Sequence, residues 1–226
     1  MSTFCLVHGS AQNARCWDLL VPELEKRGHQ TLCATLPVNE PGAGAERYAG
    51  IILKSVPERA GDVIVVGHSA SGYLLPLVAT QRPLRGIVFL AAMLPRIGMS
   101  FLDQVRADPT IFQPGWIGKD PTTDDAAAKY YLFHDCSQPV AEWAMTTRIR
   151  LPLEKVASEV YPLRRWPDVA STYIVCSNDR TINPEWSRRA ARERLGVEPV
   201  EIAAGHCPYL SKPAELAEML SQLGSV

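Results

Sequence analysis

No apolar run in this 226-residue sequence is long enough to span a bilayer. The first apolar stretch, Phe4 to Val7, has no basic flank and is far too short for a signal-peptide core. Charge of one sign is also missing. The 23 Lys and Arg against 24 Asp and Glu leave a formal net charge of −1, which gives no reason to expect nucleic acid or an anionic membrane as partner. There is no internal repeat, no low-complexity tract, no phosphate-binding glycine loop and no cluster with metal-ligand spacing. Neither a metal nor a cofactor is therefore expected. The six cysteines (Cys5, Cys16, Cys33, Cys136, Cys176, Cys207) show no paired spacing and read as reduced thiols of a cytoplasmic protein. What remains is ordinary globular composition, 46% hydrophobic and 21% charged, in a length suited to one α/β domain over residues 1–226. Oligomeric state is left open.

The most informative stretch is residues 62–72, Asp-Val-Ile-Val-Val-Gly-His-Ser-Ala-Ser-Gly. A β-branched run is followed by a sharp small-residue turn and then by Leu74, Leu75, Leu77 and Val78. That order is strand, turn, helix, with Ser69 at the apex, and it fits a nucleophile elbow. Strand and helix backbones nearly touch there, so small neighbours are required. Gly67, Ala70, Ser71 and Gly72 meet the need, with Ser71 standing where glycine is usual. An acid and then a histidine should follow in sequence. Tyr173 to Cys176 read as a buried strand with Asp179 just beyond it, and Val200 to Ile202 as a short strand with His206 beyond it. All three residues then lie at C-terminal ends of strands, where open α/β sheets place their sites.

Strand and helix signals alternate along the chain. Phe4–Val7 and Thr31–Thr35 read as strands. Trp17, Leu20, Val21 and Leu24 fall at helical spacing before Gly28, and residues 45–56 form a second helix. Ile87–Leu90 is another strand, and Pro213 suits the first turn of the last helix. The alternation breaks over residues 95–166, which are too long for a bare loop and read as a cap insertion with helices around 125–133 and 139–150. Trp116, Tyr130, Tyr131, Phe133 and Trp143 are candidate pocket aromatics, against the plainer role of packing the cap onto the core.

The chain resembles the α/β-hydrolase superfamily, and within it the branch of small plant methylesterases and hydroxynitrile lyases with their bacterial relatives. The likeness rests on Leu6-Val7-His8-Gly9-Ser10 with Trp17, on Gly67 to Gly72, on Tyr173 to Cys176 with Asp179, on Gly205-His206, and on the segments Leu132–Cys136 and Ala141–Arg148. The resemblance implies a mostly parallel six-stranded sheet flanked by helices, without extra N-terminal strands. It implies Ser69 as nucleophile, His206 as general base and acid, and Asp179 as its orienter. The backbone N–H groups of Ser10 and Ala70 would form the oxyanion hole. The lyases carry an acid before the nucleophile, a threonine in the first turn and a lysine after the catalytic histidine. This chain has His68, Gly9 and Cys207 at those places, which favours ester hydrolysis over cyanohydrin cleavage. The esterases often carry histidine where Gln12 stands, so their substrate preference is not carried over.

The expected activity is a cofactor-independent serine esterase acting on a small carboxylic ester or lactone. A lyase or C–C bond-cleaving enzyme using His206 as base is the alternative, and a binding protein on the same scaffold a third. Plainer roles compete at each position. For Ser69 the plainer alternative is an ordinary turn serine, and for Asp179 a cap for the helix near Pro184. Ser71 is expected to cap or pack, His8 to brace the first turn, and His29 to lie at the surface. Gln12, His68, Trp116, Tyr131, His134 and Trp143 are the candidate pocket residues, with His134 either facing the pocket or solvated.

Overall fold

The computed structural model describes residues 1–59 and 61–224. Its framework is one six-stranded sheet in the order β2-β1-β3-β4-β5-β6, with every neighbouring pair parallel. The strands are β1 (Thr3–Val7), β2 (Gln30–Ala34), β3 (Val63–His68), β4 (Gly86–Leu90), β5 (Ser171–Cys176) and β6 (Val200–Ile202). The chain steps from β1 outward to β2, then returns past β1 to form β3. That reversal opens a crevice at the C-terminal ends of β1 and β3, the usual ligand position in such sheets.

The inner strands are apolar at nearly every position because both faces are covered. Cys5, Val7, Val65, Phe89 and Tyr173 pack on one face against α2 (Ala45–Ser55), α3 (Leu75–Gln81) and α8 (Pro184–Ala190). The alternate residues Phe4, Leu6, Val66, Leu90 and Ile174 pack on the other face with α1 (Leu20–Lys26) and α10 (Pro213–Leu223). This period of two is what a strand buried on both sides requires. The segment between β4 and β5 carries α4 (Phe101–Ala107), α5 (Asp125–Ala127), α6 (Gln138–Met145) and α7 (Glu154–Ser158). A wide π-turn, Ala128–Leu132, extends α5, and a short α9 (Pro208–Ser211) precedes α10.

Three expectations shift. The helix around Trp17 is divided into a 3₁₀ turn, Ala14–Trp17, and α1. Pro22 has no N–H to give to residue 18, so a continuous helix would lose that bond. The helix expected to reach residue 150 ends at Met145. There the Thr146 and Thr147 hydroxyls donate to the carbonyls of Trp143 and Ala144, and Arg148 pairs with Gln12 as extended chain. His29 is buried, not exposed. Its ring meets Phe4 edge-on at 5.1 Å and its Nδ1 accepts from the Ser2 N–H at 3.3 Å.

The turn after β3 is closely joined to the chain just beyond β4. A Cβ on residue 72 would stand 2.6 Å from Ala92 Cβ and 2.8 Å from the Met93 carbonyl oxygen. Gly72→Ala is expected to destabilise the protein by about 1–3 kcal/mol, the range for overpacking a filled core. Urea unfolding checks this, and an unchanged midpoint would contradict it.

Candidate active site

Ser69 follows β3 directly and begins a 3₁₀ turn, Ser69–Leu74, that leads into α3. Its φ is +54°, an uncommon region for a residue with a Cβ. Neighbouring groups hold it there. The Met93 N–H donates to the Ser69 carbonyl at 2.9 Å, and the Ser71 hydroxyl donates to the carbonyl of His8. Ser71 thus ties the β3 turn to the β1 turn.

Asp179 lies in the loop after β5, where its N–H donates to the Cys176 carbonyl at 3.1 Å. Its Oδ1 accepts from the N–H groups of Thr181 at 2.7 Å and Ile182 at 3.1 Å. These bonds orient the carboxylate inward. The alternative role at α8 belongs to Asn183, whose side chain accepts from the Glu185 N–H. Asp179 Oδ2 is 2.8 Å from His206 Nδ1, and His206 Nε2 is 3.0 Å from Ser69 Oγ. A carboxylate only accepts, so Nδ1 carries the proton and Nε2 faces the serine as acceptor.

Ser10, Gln12, His68, Ser69, Ala70 and Trp116 all line one cavity of about 440 Å³ at this point, together with His206. Its walls are largely apolar, from Tyr73, Met93, Phe101, Phe112, Leu132 and Leu151, and its rim carries Lys119, Asp120, Arg150 and Glu154. The Ala70 N–H sits in the first turn of a helix, where backbone donors lack an intrahelical partner.

Five candidate pocket residues lie elsewhere: Tyr130 is exposed beneath the Arg180 guanidinium, Phe133 is buried in the core, and Tyr131, Trp143 and His134 have other partners. Tyr131 is buried and packs edge-on against Trp116 at 5.2 Å, so the tryptophan, not the tyrosine, meets the cavity. Trp143 is drawn to Arg15, whose guanidinium lies 5.8 Å from its ring. His134 points to the loop after β5, where its Nε2–H donates to the Asn178 carbonyl at 3.0 Å. Tyr209 carries no motif or spacing that marks it in the sequence. Its hydroxyl donates to Gln12 Oε1 at 2.6 Å, and Gln12 Nε2 donates to Thr147 Oγ1 at 3.0 Å.

The two histidines of the turns have structural partners. His8 Nδ1–H donates to the Gly9 carbonyl at 2.9 Å while its Nε2 accepts from the Leu36 N–H at 3.1 Å. His68 Nε2–H donates to the His206 carbonyl at 2.8 Å. Burial holds both rings below the ordinary pKa, His68 well below it, with the nearby His206 adding to the effect there. Burial likewise pushes the Cys207 thiol well up, so it offers no thiolate beside His206. Among the described residues no group of three or more His, Cys, Asp or Glu is arranged to hold a metal, and no helix is long and apolar enough to cross a membrane.

A parallel sheet with a strained serine after β3, an acid after β5 and a histidine after β6 defines an α/β hydrolase. The chain belongs to the alpha/beta hydrolase family, whose model matches residues 6–219. It is similar to a pyrethroid hydrolase of Sphingobium wenxiniae, at 26% identity over 96% of this chain and 85% of that protein. Methylesterase 2 of Arabidopsis thaliana is 24% identical over 96% of this chain and 94% of that protein. Among solved structures, polyneuridine aldehyde esterase shares the fold with a TM-score of 0.76 and 22% identity, covering 99% of each chain. A pyrethroid hydrolase from Sphingobium faniae has a TM-score of 0.77 at 22% identity, covering 100% of this chain and 98% of that one.

The buried neutral histidines set a pH dependence. In the unfolded chain they take protons near their ordinary value of 6.5, and in the folded chain only at lower pH. Their contribution to stability is therefore full above that value and is lost as pH falls below it. The loss is at most about 1.4 kcal/mol per pH unit for each histidine. Urea midpoints should fall between pH 7 and pH 5, and a flat profile would contradict buried neutral rings.

Proposed function

We propose that the protein is a serine esterase that hydrolyses a small carboxylic ester or lactone through an acyl-enzyme on Ser69. The observation that carries this reading is the hydrogen-bonded chain Ser69–His206–Asp179, at 3.0 and 2.8 Å, opening into the 440 Å³ cavity. The esterase and hydrolase names of similar proteins support it.

Ser69 Oγ attacks the substrate carbonyl as His206 Nε2 takes its proton. Asp179 keeps the imidazole in the tautomer that presents Nε2 to the serine and stabilises the imidazolium without taking the proton. The N–H groups of Ser10 and Ala70 receive the developing oxyanion, where each such donor contributes on the order of a hundredfold or more in rate. His206 returns the proton to the departing alcohol. Water then attacks the acyl-enzyme with His206 as base, releasing the acid and restoring Ser69.

The cavity walls favour substrates whose acid or alcohol part is apolar, since Tyr73, Met93, Phe101 and Phe112 offer few hydrogen bonds. The lyase alternative gains no support at the position after His206, where Cys207 is buried and uncharged.

Hydrolysis of 4-nitrophenyl esters of increasing acyl size tests the proposal. Ser69→Ala is expected to remove turnover while leaving the unfolding midpoint within the range of ordinary surface changes. Asp179→Asn should lower kcat by about 10⁴-fold through the wrong tautomer. Full turnover by Ser69→Ala would sink the assignment.

A further inference from the structure

We infer that His134 and Asp135 form a clasp that positions the acid and the base of the site, an inference resting on the esterase reading. The two residues follow the π-turn that extends α5, in the segment between β4 and β5. His134 Nε2–H donates to the Asn178 carbonyl at 3.0 Å, one residue before Asp179. Asp135 Oδ2 accepts from the Gly205 N–H at 2.6 Å, one residue before His206. The Asn178 N–H in turn donates to the Ala204 carbonyl at 3.0 Å. The three bonds and the intervening peptide links close a ring. Asp179 and His206 each extend from it by a single residue.

Further contacts reach the acid loop from the same segment. The Thr181 hydroxyl donates to the Tyr131 carbonyl at 3.3 Å, and Gln113 Nε2 donates to the Asp179 carbonyl at 3.1 Å. The Arg180 guanidinium lies 4.6 Å from the Tyr130 ring. The ring is also closely fitted. A Cβ on residue 205 would stand 2.5 Å from Asp135 Oδ1 and 2.7 Å from His134 Nε2, so only glycine allows this approach. The strands alone place Asp179 and His206 on loops, and loops are the more mobile parts of a fold. A fixed dipeptide bonded to both loops sets their separation. Misplacement of about 1 Å at such a site costs on the order of a hundredfold in rate. His134 and Asp135 are thus positioning residues and do not line the cavity.

The test compares Asp135→Ala with Asp135→Asn, and His134→Ala with His134→Gln, in turnover of a 4-nitrophenyl ester by the full chain. The amide of asparagine keeps an acceptor for Gly205, and that of glutamine keeps a donor for Asn178. Each alanine variant is expected to lose about tenfold or more in kcat, with KM nearly unchanged, and each amide variant to recover most of it. A rise in KM with kcat unchanged would make the pair a wall of the pocket and overturn the proposal. So would an amide variant as impaired as its alanine partner, or a loss matched by the fraction of unfolded protein. Hydrogen exchange separates this proposal from the esterase reading. If the wild type turns over no ester, that reading fails, while the clasp still predicts faster exchange of the Gly205 amide in Asp135→Ala. Unchanged exchange there would overturn the clasp.

Discussion

The backbone of Ser69, held at a φ of +54°, is the constraint on which the rest of the site depends. A serine in that conformation is costly unless its surroundings over-determine it. Here they do so from three sides. The Met93 N–H binds its carbonyl, Gly72 lets the turn close on Ala92, and Ser71 binds the carbonyl of His8 across the crevice. The crevice exists because the chain reverses direction between β2 and β3, leaving the ends of β1 and β3 side by side. An all-parallel sheet then puts the loops after β5 and β6 on the same side, which brings Asp179 and His206 within reach of a serine far away in sequence.

Around this point the electrostatics are sparse. His8 and His68 are kept neutral by burial; His8 has both ring nitrogens on turn backbone, while His68 bonds the His206 carbonyl through Nε2 and meets the Tyr209 hydroxyl at Nδ1. Tyr209, Gln12 and Thr147 continue the hydrogen bonding from the floor of the site to α6. Buried polar groups that are satisfied in this way fix one geometry, because the alternative is an unpaired group in a low-dielectric setting. Asp179 is the carboxylate hydrogen-bonded to His206, and its two oxygens together accept from two backbone amides and the imidazole.

Much of this was legible from local sequence signals. β3 and the turn after it are written in consecutive residues, Val63 to Gly72, so no distant partner had to be inferred. β6 is three residues long, yet its apolar ends and the following Gly205-His206 marked it. The segment between β4 and β5 was less legible because its ends are set by tertiary contacts. α6 stops at Met145 since Thr146 and Thr147 turn their hydroxyls onto its carbonyls and Arg148 pairs with Gln12. His29 is buried by Phe4 and Ser2, which lie 25 and 27 residues away in sequence. Tyr131, His134 and Trp143 have the composition of pocket residues, but the π-turn and Arg15 direct them elsewhere. Side-chain direction after an irregular helical turn is not encoded in spacing.

An activated nucleophile at Ser69 is open to covalent labelling. The purified protein would be treated with a fluorophosphonate and the adduct mapped by mass spectrometry, with Ser69→Ala as control. One adduct is expected, on the peptide containing Ser69, and none on the variant. A folded protein that takes no adduct, or takes it at another residue with Ser69 untouched, would rule out an activated Ser69.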